Sequence, residues 1–336
     1  MVVEELLKVE DLSVSFKTKR GYAAAVRNLS FAVRPGESVA IVGESGSGKS
    51  VSAMALLGLL PRSARVSGSA VFEGDELIGM DQKDLRSIRG NRVSMIFQDP
   101  MTAFNPVFTI GDQVGEIITA HDSSDSKKDA LSRAVDLLKL VGIPNANRRV
   151  NQYPHEFSGG MRQRAMIAMA IANSPTLLIA DEPTTALDVT IQAQVMETLA
   201  EAQAETGAAM ILITHDLGLV AGVADRVQVM YGGRIFERGV TRDVYYRPMN
   251  PYTRGLLQSI PRLDGDRDQR LEPIPGTPPS ILRMPDGCAF QTRCGFRTDV
   301  CAEKPATLEL VGSDHWSRCH NTSILPAIEE TVGGNA

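Results

Sequence analysis

Residues 43–50, GESGSGKS, fit the pattern G-x-x-x-x-G-K-[ST]. The apolar run SVAIVG precedes them and the helical run VSAMALLGLL follows, which is the context of a loop that binds phosphate groups. Glycines let consecutive backbone N–H groups turn toward phosphate oxygens at the positive end of a helix. Lys49 is expected to neutralise the β and γ phosphates and Ser50 to bind Mg²⁺; the alternative is a plain Gly-Ser turn before a helix. The predicted phosphate contacts are Gly43, Glu44, Ser45, Gly46, Ser47, Gly48, Lys49 and Ser50.

An acidic pair, Asp181 and Glu182, ends the apolar run LLIADE. A nucleotide site needs a second magnesium contact and a group that activates water. Asp181 can hold the ion or its bound water, and Glu182 can act as general base. A lone pair of this kind is often only a solvated strand end, but beside a phosphate loop it predicts hydrolysis.

The stretch FSGGMRQR, residues 157–164, predicts a second helix start that binds anions. Ser158, Gly159 and Gly160 place a hydroxyl and bare backbone amides before a helix that runs through MRQRAMIAMAIA. One nucleotide does not obviously need two such helix starts within one subunit, so two subunits arranged head to tail could each supply one half. A capped helix with a flexible Gly pair is the alternative.

The elements that must position these side chains alternate between short apolar runs and helical patterns up to about residue 250. The runs SVAIVG, VSMIFQ, TLLIAD and AMILITHD are apolar almost throughout, which is typical of parallel strands covered by helices on both faces. Several runs end in polar residues, among them Gln98, Asp181 and His215. In an open α/β sheet the ligand crevice lies at these strand ends, so the sequence predicts a site there.

A helical subdomain is expected from residue 99 to about 175, where the strand pattern stops. The stretch DSKKDALSRAVDLLKLVG predicts one of its helices, with Ser126 as the amino-terminal cap and apolar positions that include Leu131. Further along, Gly232-Gly233 stands between two apolar-containing runs and predicts a hairpin turn.

Composition favours a soluble chain of two domains. With 336 residues, a net charge of −5 and a pI of about 5.7, it shows no electrostatic footprint for nucleic acid. The start MVVEELLKVEDLSVSF has no basic region before an apolar run, so we expect no secretory signal. Apolar runs such as AMALLGLL are far shorter than the ~20 residues needed to cross a bilayer. These observations favour the reducing cytosol, where persistent disulfides are rare.

Five stretches follow one another in order: GESGSGKS, IFQDP, FSGGMRQR, LLIADEPTTALD and LITHD. Together they resemble the nucleotide-binding subunit of an ATP-binding cassette (ABC) transporter, over roughly residues 4–250. The resemblance implies an α/β P-loop NTPase fold with an inserted helical subdomain, binding ATP and Mg²⁺. It further implies that Gln98 links magnesium and the attacking water to the permease contact, that Asp188 lies at the dimer interface, and that His215 contacts the γ-phosphate.

Alternatives remain for the residues that this resemblance assigns. Phe16 or Tyr22 would stack on adenine, and either could be plain core packing. Taken singly, Gln98 and His215 could be polar strand ends and Asp188 a helix cap; within the complete set the family roles are favoured. The implied catalytic residues are Glu182, His215 and Gln98, and the implied magnesium contacts are Ser50, Gln98 and Asp181.

A second domain, residues 251–336, is expected after an ABC ATPase domain at 1–250. The stretches RPMNPYTRGLLQSIP, PIPGTPPS and PDGCAFQTRC resemble the C-terminal extension of ATPases from dipeptide and oligopeptide importers. This implies ATP-driven peptide uptake, with another small solute (a nickel chelate or glutathione) as the alternative and a soluble ABC ATPase acting on ribosomes or DNA as the rival. The implied partners are a second ATPase in a heterodimer, two transmembrane permease subunits and, indirectly, an extracytoplasmic peptide-binding protein. The implied location is the cytoplasmic face of the inner membrane, as a peripheral protein.

All four cysteines of the chain follow the spacing Cys-x5-Cys-x6-Cys-x17-Cys. The spacing matches neither the Cys-x2-Cys pairs of common zinc sites nor the common ferredoxin pattern, so it names no metal. A short segment in a reducing compartment needs a staple, which four thiolates on a metal supply. The importer resemblance implies a structural [4Fe–4S] cluster, with Zn²⁺, unliganded core cysteines or a redox sensor as alternatives, and ATP binding is expected not to depend on it. The predicted ligands are Cys288, Cys294, Cys301 and Cys319.

Overall fold

The computed structural model describes residues 5–19, 21–121, 126–185, 187–260 and 273–325. The expected start of the chain at residues 1–4 and the end of the second expected domain, residues 326–336, lie outside the described residues. The described strands are, in chain order, β1 (Leu7–Thr18), β2 (Gly21–Val33), β3 (Ser38–Val42), β4 (Ala64–Phe72), β5 (Asp75–Glu76), β6 (Val93–Ile96), β7 (Leu177–Asp181), β8 (Ala209–Thr214), β9 (Arg226–Tyr231), β10 (Arg234–Val240), β11 (Glu309–Gly312) and β12 (His315–Ser317).

These strands form two sheets. The smaller has four antiparallel strands in the order β2-β1-β4-β5, and the larger has eight in the order β11-β12-β10-β9-β3-β8-β7-β6. At the centre of the larger sheet β3, β7 and β8 are parallel and all of their residues are buried. Because their apolar runs need cover on both faces, helices must lie on either side. The predicted parallel α/β core is confirmed.

Helices cover this sheet, and those between residues 99 and 175 form a group with no described strand among them. No described helix has the length and apolar content to span a membrane. The described α-helices are α1 (Lys49–Leu56), α2 (Gln82–Ile88), α3 (Pro100–Ala103), α4 (Ile110–His121), α5 (Lys127–Leu140), α6 (Ala146–Arg149), α7 (Gly159–Ile171), α8 (Val189–Thr206), α9 (Thr241–Tyr246), α10 (Pro251–Gln258) and α11 (Val300–Glu303).

Helix α5 begins as the sequence predicts, because the Ser126 hydroxyl accepts a hydrogen bond from a backbone N–H of the first turn at 3.2 Å. Its buried face is formed by Ala130, Ala134 and Leu138, whereas Leu131 is 39% exposed. Two small alanines allow α5 to pack closely on α4 and α7. The apolar positions read from the sequence therefore only partly match the buried face.

The hairpin predicted at Gly232-Gly233 is confirmed as the turn between β9 and β10. Both glycines have positive φ, +56° and +81°, as a two-residue hairpin turn of the favoured hand requires. A Cβ on Gly233 would lie 2.6 Å from the carbonyl oxygen of Ala25, so β2 also passes too close for a side chain. The β9–β10 turn of the larger sheet therefore packs directly against β2, which is an edge strand of the smaller sheet.

Residues after 250 add to the larger sheet, because β12 pairs with β10 and β11 pairs with β12. The fully buried Glu237 on β10 lies 2.7 Å from Nε2 of His315 on β12, and burial raises the pKa of Glu237. The buried Asn250 side chain donates to the backbone carbonyls of Phe236 and Arg318 at 3.0 and 3.2 Å. The C-terminal segment and the sheet therefore share buried polar contacts.

Candidate active site

The predicted phosphate loop connects β3 to α1. Gly43 has a φ of +157°, and a Cβ there would lie 2.2 Å from the carbonyl oxygen of Met230 on β9. Gly48, with a φ of +103°, immediately precedes α1, and a Cβ there would lie 2.7 Å from the carbonyl oxygen of Ala25. Only glycine fits at these two points, so the neighbouring strands fix both ends of the loop.

A cavity of about 670 Å³ lies over this loop. Lys49 is only 4% exposed and its Nζ donates to the carbonyl oxygens of Gly43 and Glu44 at 2.7 and 3.2 Å. Burial lowers the pKa of Lys49, while the nearby carboxylates of Glu182 and Asp181 oppose that shift. A phosphate group in the cavity would give this buried ammonium the counter-charge it needs. The lining residues are Glu44, Ser45, Gly46, Ser47, Gly48, Lys49, Ser50, Val51, Gln98, Glu182, His215 and Pro278.

The two residues expected to hold magnesium are in direct contact, since the Ser50 hydroxyl donates to Oδ1 of Asp181 at 2.8 Å. Burial raises the pKa of Asp181, which is 4% exposed. Mg²⁺ prefers oxygen ligands and takes most of them from water and nucleotide phosphates, so one hydroxyl and one carboxylate suffice as the protein's share. These residues therefore fit a nucleotide-bound magnesium ion.

Glu182 lies at the centre of a group of polar side chains that line the cavity. Its Oε2 accepts hydrogen bonds from Gln98 Nε2 at 3.0 Å and from Thr185 Oγ1 at 2.8 Å, and lies 3.3 Å from His215 Nδ1. Its Oε1 lies 3.8 Å from Nζ of Lys49. The ends of β6, β7 and β8 bring Gln98, Glu182 and His215 together, as the strand pattern predicts. A carboxylate in this position can accept a proton from a water held above the loop.

The second predicted anion site lies outside this cavity. The Ser158 hydroxyl caps α7 by accepting a 3.3 Å hydrogen bond from the backbone N–H of Met161, and Gly159 and Gly160 form the first turn. Asp188 caps α8 by accepting from Ile191 N–H at 3.0 Å. The two helix starts adjoin, because a Cβ on Gly160 would lie 2.8 Å from Cγ2 of Ile191. The cavity over the loop of the same chain is lined by none of the four residues predicted to contact nucleotide from this side, which are Ser158, Gly159, Gly160 and Asp188.

Neither aromatic candidate for the adenine contact lines the cavity. Tyr22 is 44% exposed, and the guanidinium carbon of Arg65 lies 3.7 Å from its ring centroid. Phe16 is partly buried against the hydrophobic core. The choice between them stays a prediction.

Comparison with known proteins agrees with this geometry. The family "ABC transporter" matches residues 26–185, and the family "Oligopeptide/dipeptide transporter, C-terminal region" matches residues 236–301. The oligopeptide transport ATP-binding protein OppD of Salmonella typhimurium is 52% identical over 300 residues, which are 89% of this chain and 89% of that protein. The chain belongs to the ABC transporter ATPases of this oligopeptide and dipeptide group. Its activity is therefore hydrolysis of ATP.

Two further relatives support this assignment of the ABC ATPase. The dipeptide transport ATP-binding protein DppD of Bacillus subtilis is 54% identical over 301 residues, again 89% of each chain. A dimeric ATP-binding cassette solved with ADP and phosphate matches with a TM-score of 0.63 and 26% identity, and the match covers 70% of this chain and 99% of that one.

The four cysteines of the ABC ATPase are free thiols that line one small cavity of about 20 Å³. A close backbone approach brings two of them together: a Cβ on Gly287 would lie 2.2 Å from the carbonyl oxygen of Cys301, and the N–H of Cys288 donates to that oxygen at 2.8 Å. Burial raises the pKa of three of the thiols, that of Cys319 to about 11. The other two raised thiols are those of Cys288 and Cys294.

Amide donors already face two of these sulfurs. Asn321 donates its backbone N–H to Cys319 Sγ at 3.3 Å and its side-chain Nδ2 to Cys301 Sγ at 3.6 Å. Among the described residues, no group of three or more His, Cys, Asp and Glu side chains is arranged to hold a metal ion. Thiols are the donor type that iron–sulfur clusters and zinc sites use, but the described side chains are not arranged as a metal site.

Sequence reasoning missed several residues of the ABC ATPase that the fold brings to the active site. Thr185, whose hydroxyl donates to Glu182, lies within the run LLIADEPTTALD, so the sequence did contain a signal for it. Pro278 lines the cavity from a stretch interpreted only as a connector. Arg293, which binds the carboxylate of Glu44, had no local signal because the two residues are 249 positions apart.

Proposed function

We propose that this chain is the ATP-hydrolysing subunit of a peptide importer and that it works in a head-to-tail pair with a second ABC ATPase. The second ATPase differs in sequence from this chain, so the pair is a heterodimer.

 The observation that carries this proposal is the convergence on one cavity of an ammonium, a hydroxyl, an amide, a carboxylate and an imidazole around a glycine-rich loop, while Ser158 lies outside it. The converging residues are Lys49, Ser50, Gln98, Glu182 and His215.

The proposed roles follow from these positions. Lys49 and the loop amides hold the β and γ phosphates, and Ser50 and Asp181 hold Mg²⁺, which when bound neutralises phosphate charge. Glu182 takes a proton from the attacking water. Gln98 would contact the magnesium ion and the attacking water. His215 would contact the γ-phosphate.

The second half of each site is proposed to come from the other subunit. Ser158, Gly159 and Gly160 present a hydroxyl and the free N–H groups of a helix start, which suit a γ-phosphate. Asp188 lies at the adjoining helix start and would face the partner. Since these groups do not line the cavity of their own chain, the head-to-tail pair gives them a phosphate to bind.

Three exposed apolar side chains follow Gln98 within ten residues of sequence and are proposed to form an apolar surface that docks to two transmembrane permease subunits. They are Met101, Val107 and Phe108, which are 49%, 71% and 50% exposed. Docking to the permeases is proposed to hold the chain at the cytoplasmic face of the inner membrane as a peripheral protein. Peptide transport is supported by the relatives, which are oligopeptide and dipeptide transport ATP-binding proteins. An extracytoplasmic binding protein that delivers the peptides, and domains at 1–250 and 251–336, are further parts of the proposal.

The chain purified from native membranes in mild detergent should bring two permease subunits and a second ABC ATPase with it, as identified by mass spectrometry. Substitution of Val107 by Asp should release the permeases, because it places a charge in the apolar surface, while the chain still binds ATP. Leu310→Asp, at a site that is 58% exposed on β11, is the matched control and should retain them. Recovery of ribosomes or DNA instead of permeases would contradict the proposal. A reconstituted complex that takes up a nickel chelate or glutathione but no peptide would show that the transported solute is not a peptide.

A [4Fe–4S] cluster held by the four cysteines is the second part of the proposal. Four thiols around one cavity, with amide donors from Asn321 facing two of them, support it. Thiols must lose their protons to bind metal, and their raised pKa values mean that metal uptake would release protons at neutral pH. The cluster would act as a structural staple for the C-terminal segment.

Protein purified without oxygen should be brown and contain about four irons and four sulfides per chain. Cys319→Ser should lower the iron content and make the C-terminal segment more sensitive to protease, because one of four converging ligands is lost. Colourless protein with one zinc ion would select Zn²⁺. Protein without metal and with four titratable thiols would exclude both.

A further inference from the structure

Glu44, the second residue of the phosphate loop, is held at its backbone and at its side chain by residues that follow position 250. Its backbone N–H donates to the Tyr252 hydroxyl at 2.9 Å. Its carboxylate accepts two hydrogen bonds from Arg293, from Nη1 to Oε2 at 2.6 Å and from Nη2 to Oε1 at 2.9 Å. A two-pronged contact of this kind fixes orientation as well as distance. The C-terminal segment therefore restrains the start of the loop that binds phosphate.

Arg293 is itself anchored, so it cannot simply follow the loop. Its Nε donates to the carbonyl oxygen of Pro275 at 2.8 Å, and its Nη1 donates to the hydroxyl of Tyr231 at 3.3 Å. The side chain is only 3% exposed, and its guanidinium carbon lies 5.8 Å from the ring centroid of Phe290. The guanidinium is thus a fixed reference point against which Glu44 is placed.

The segment that anchors Arg293 also contributes to the wall of the nucleotide cavity, through Pro278. At the middle of the loop Gly46 has a φ of +78°, and apart from its two chain neighbours no heavy atom lies within 4 Å of the position of a Cβ. The loop is therefore held at Glu44, whereas open space lies beside Gly46. A ligand binds more tightly to groups that are already ordered, because the free-energy cost of ordering them does not reduce the binding free energy.

The geometry points to Arg293 as a positioning residue for ATP binding, which clamps Glu44 and so keeps the phosphate loop in the conformation that accepts the phosphates. The inference rests on the ATP site proposed above and adds the C-terminal segment to it. Arg293 directly precedes Cys294, so the cysteine cavity and the phosphate loop depend on the same short stretch of chain. The expectation that the cysteine segment has no effect on ATP binding takes no account of this connection.

The test measures the Kd of the full chain for AMP-PNP with Mg²⁺ by calorimetry, together with its Tm. Arg293→Met should raise the Kd about tenfold, equivalent to ~1.4 kcal/mol, because Glu44 loses its clamp. Arg297→Met, at an exposed arginine four residues further along, is the matched control and should leave the Kd unchanged. A role in stability alone would lower the Tm of Arg293→Met and leave the Kd of the folded protein as it was.

Two further variants separate a positioning role from general damage. Arg293→Lys should give a Kd between those of the unaltered chain and Arg293→Met, because lysine supplies a charge without the two-pronged fork. Glu44→Gln should weaken binding about as much as Arg293→Met. The double variant should be no weaker than either single one, since both changes remove the same interaction.

A Kd within twofold of the unaltered chain for Arg293→Met, in protein that melts cooperatively, would overturn the inference, and so would additive losses in the double variant. If Arg293→Met does not fold, Arg293→Lys and Glu44→Gln decide in the same way. Failure of the unaltered chain to bind the nucleotide would instead contradict the proposed ATP site.

Discussion

Glu182→Gln should slow ATP hydrolysis at this chain's site by about 10²- to 10⁴-fold, the usual contribution of a positioned general base, while ATP still binds. Glutamine has nearly the same shape and can still accept hydrogen bonds from Gln98 and Thr185, which reach Oε2 of Glu182 at 3.0 and 2.8 Å. A neutral amide cannot take a proton from water. Binding should survive because Lys49 and the loop amides, rather than Glu182, are proposed to hold the phosphates.

Phosphate release by the assembled transporter measures the rate, and calorimetry on the isolated chain measures the ATP affinity. Because the proposed partner ATPase would have its own site, single-turnover conditions are needed to resolve the phase that belongs to this chain. Glu197→Gln, at an exposed glutamate of α8, is the matched control and should change neither quantity. If every phase keeps its original rate in the Glu182→Gln complex, the proton must go to another group.

The backbone at Glu182 shows why the sequence predicts this acid but not its exact placement. Glu182 has a φ of +46°, in the left-handed region that non-glycine residues rarely adopt. Its N–H donates to the carbonyl oxygen of Ile213 at 2.8 Å, which continues the pairing of β7 with β8 by one residue. This unusual turn lets the carboxylate face Gln98 and His215, and no pattern of residue types indicates it.

Features that depend on neighbours in sequence were predictable. The phosphate loop needs glycines between a strand and a helix, the cap of α5 needs Ser126 before its first turn, and the β9–β10 turn needs two residues with positive φ. Each of these signals extends over a few positions, so composition and spacing contain it. The polar ends of β6, β7 and β8 also converge as expected, because parallel strands all point the same way.

Features that depend on approach between distant segments were not predictable. Gly43 must be glycine because Met230 passes beside it, and Glu44 is oriented by Arg293, 249 positions away. The addition of β11 and β12 to the larger sheet is of the same kind, since their short strands carry no strong pattern. Such contacts are consequences of the complete fold and leave no trace in local spacing.

Ser158→Ala should lower the ATPase rate of the assembled transporter by about 10- to 100-fold while leaving the ATP affinity of the isolated chain unchanged. Ser158 does not line the cavity of its own chain, and its hydroxyl is proposed to contact a nucleotide held by the partner. A hydrogen bond to a charged group contributes about 1.5–3 kcal/mol, which corresponds to the expected loss. Phosphate release by the complex and calorimetry on the isolated chain are the two measurements.

Ser126→Ala separates this role from the loss of a helix cap. The Ser158 and Ser126 side chains are both exposed, and each accepts one backbone hydrogen bond at the start of its helix, at 3.3 and 3.2 Å. Each alanine substitution should therefore destabilise the chain by about 1 kcal/mol. Only the substitution at α7 should lower the ATPase rate, because only that helix start is proposed to meet a phosphate. Equal ATPase rates in the two variants would show that Ser158 acts only as a helix cap. Weaker ATP binding by isolated Ser158→Ala chains would place its hydroxyl in the site of its own subunit and contradict the head-to-tail pair.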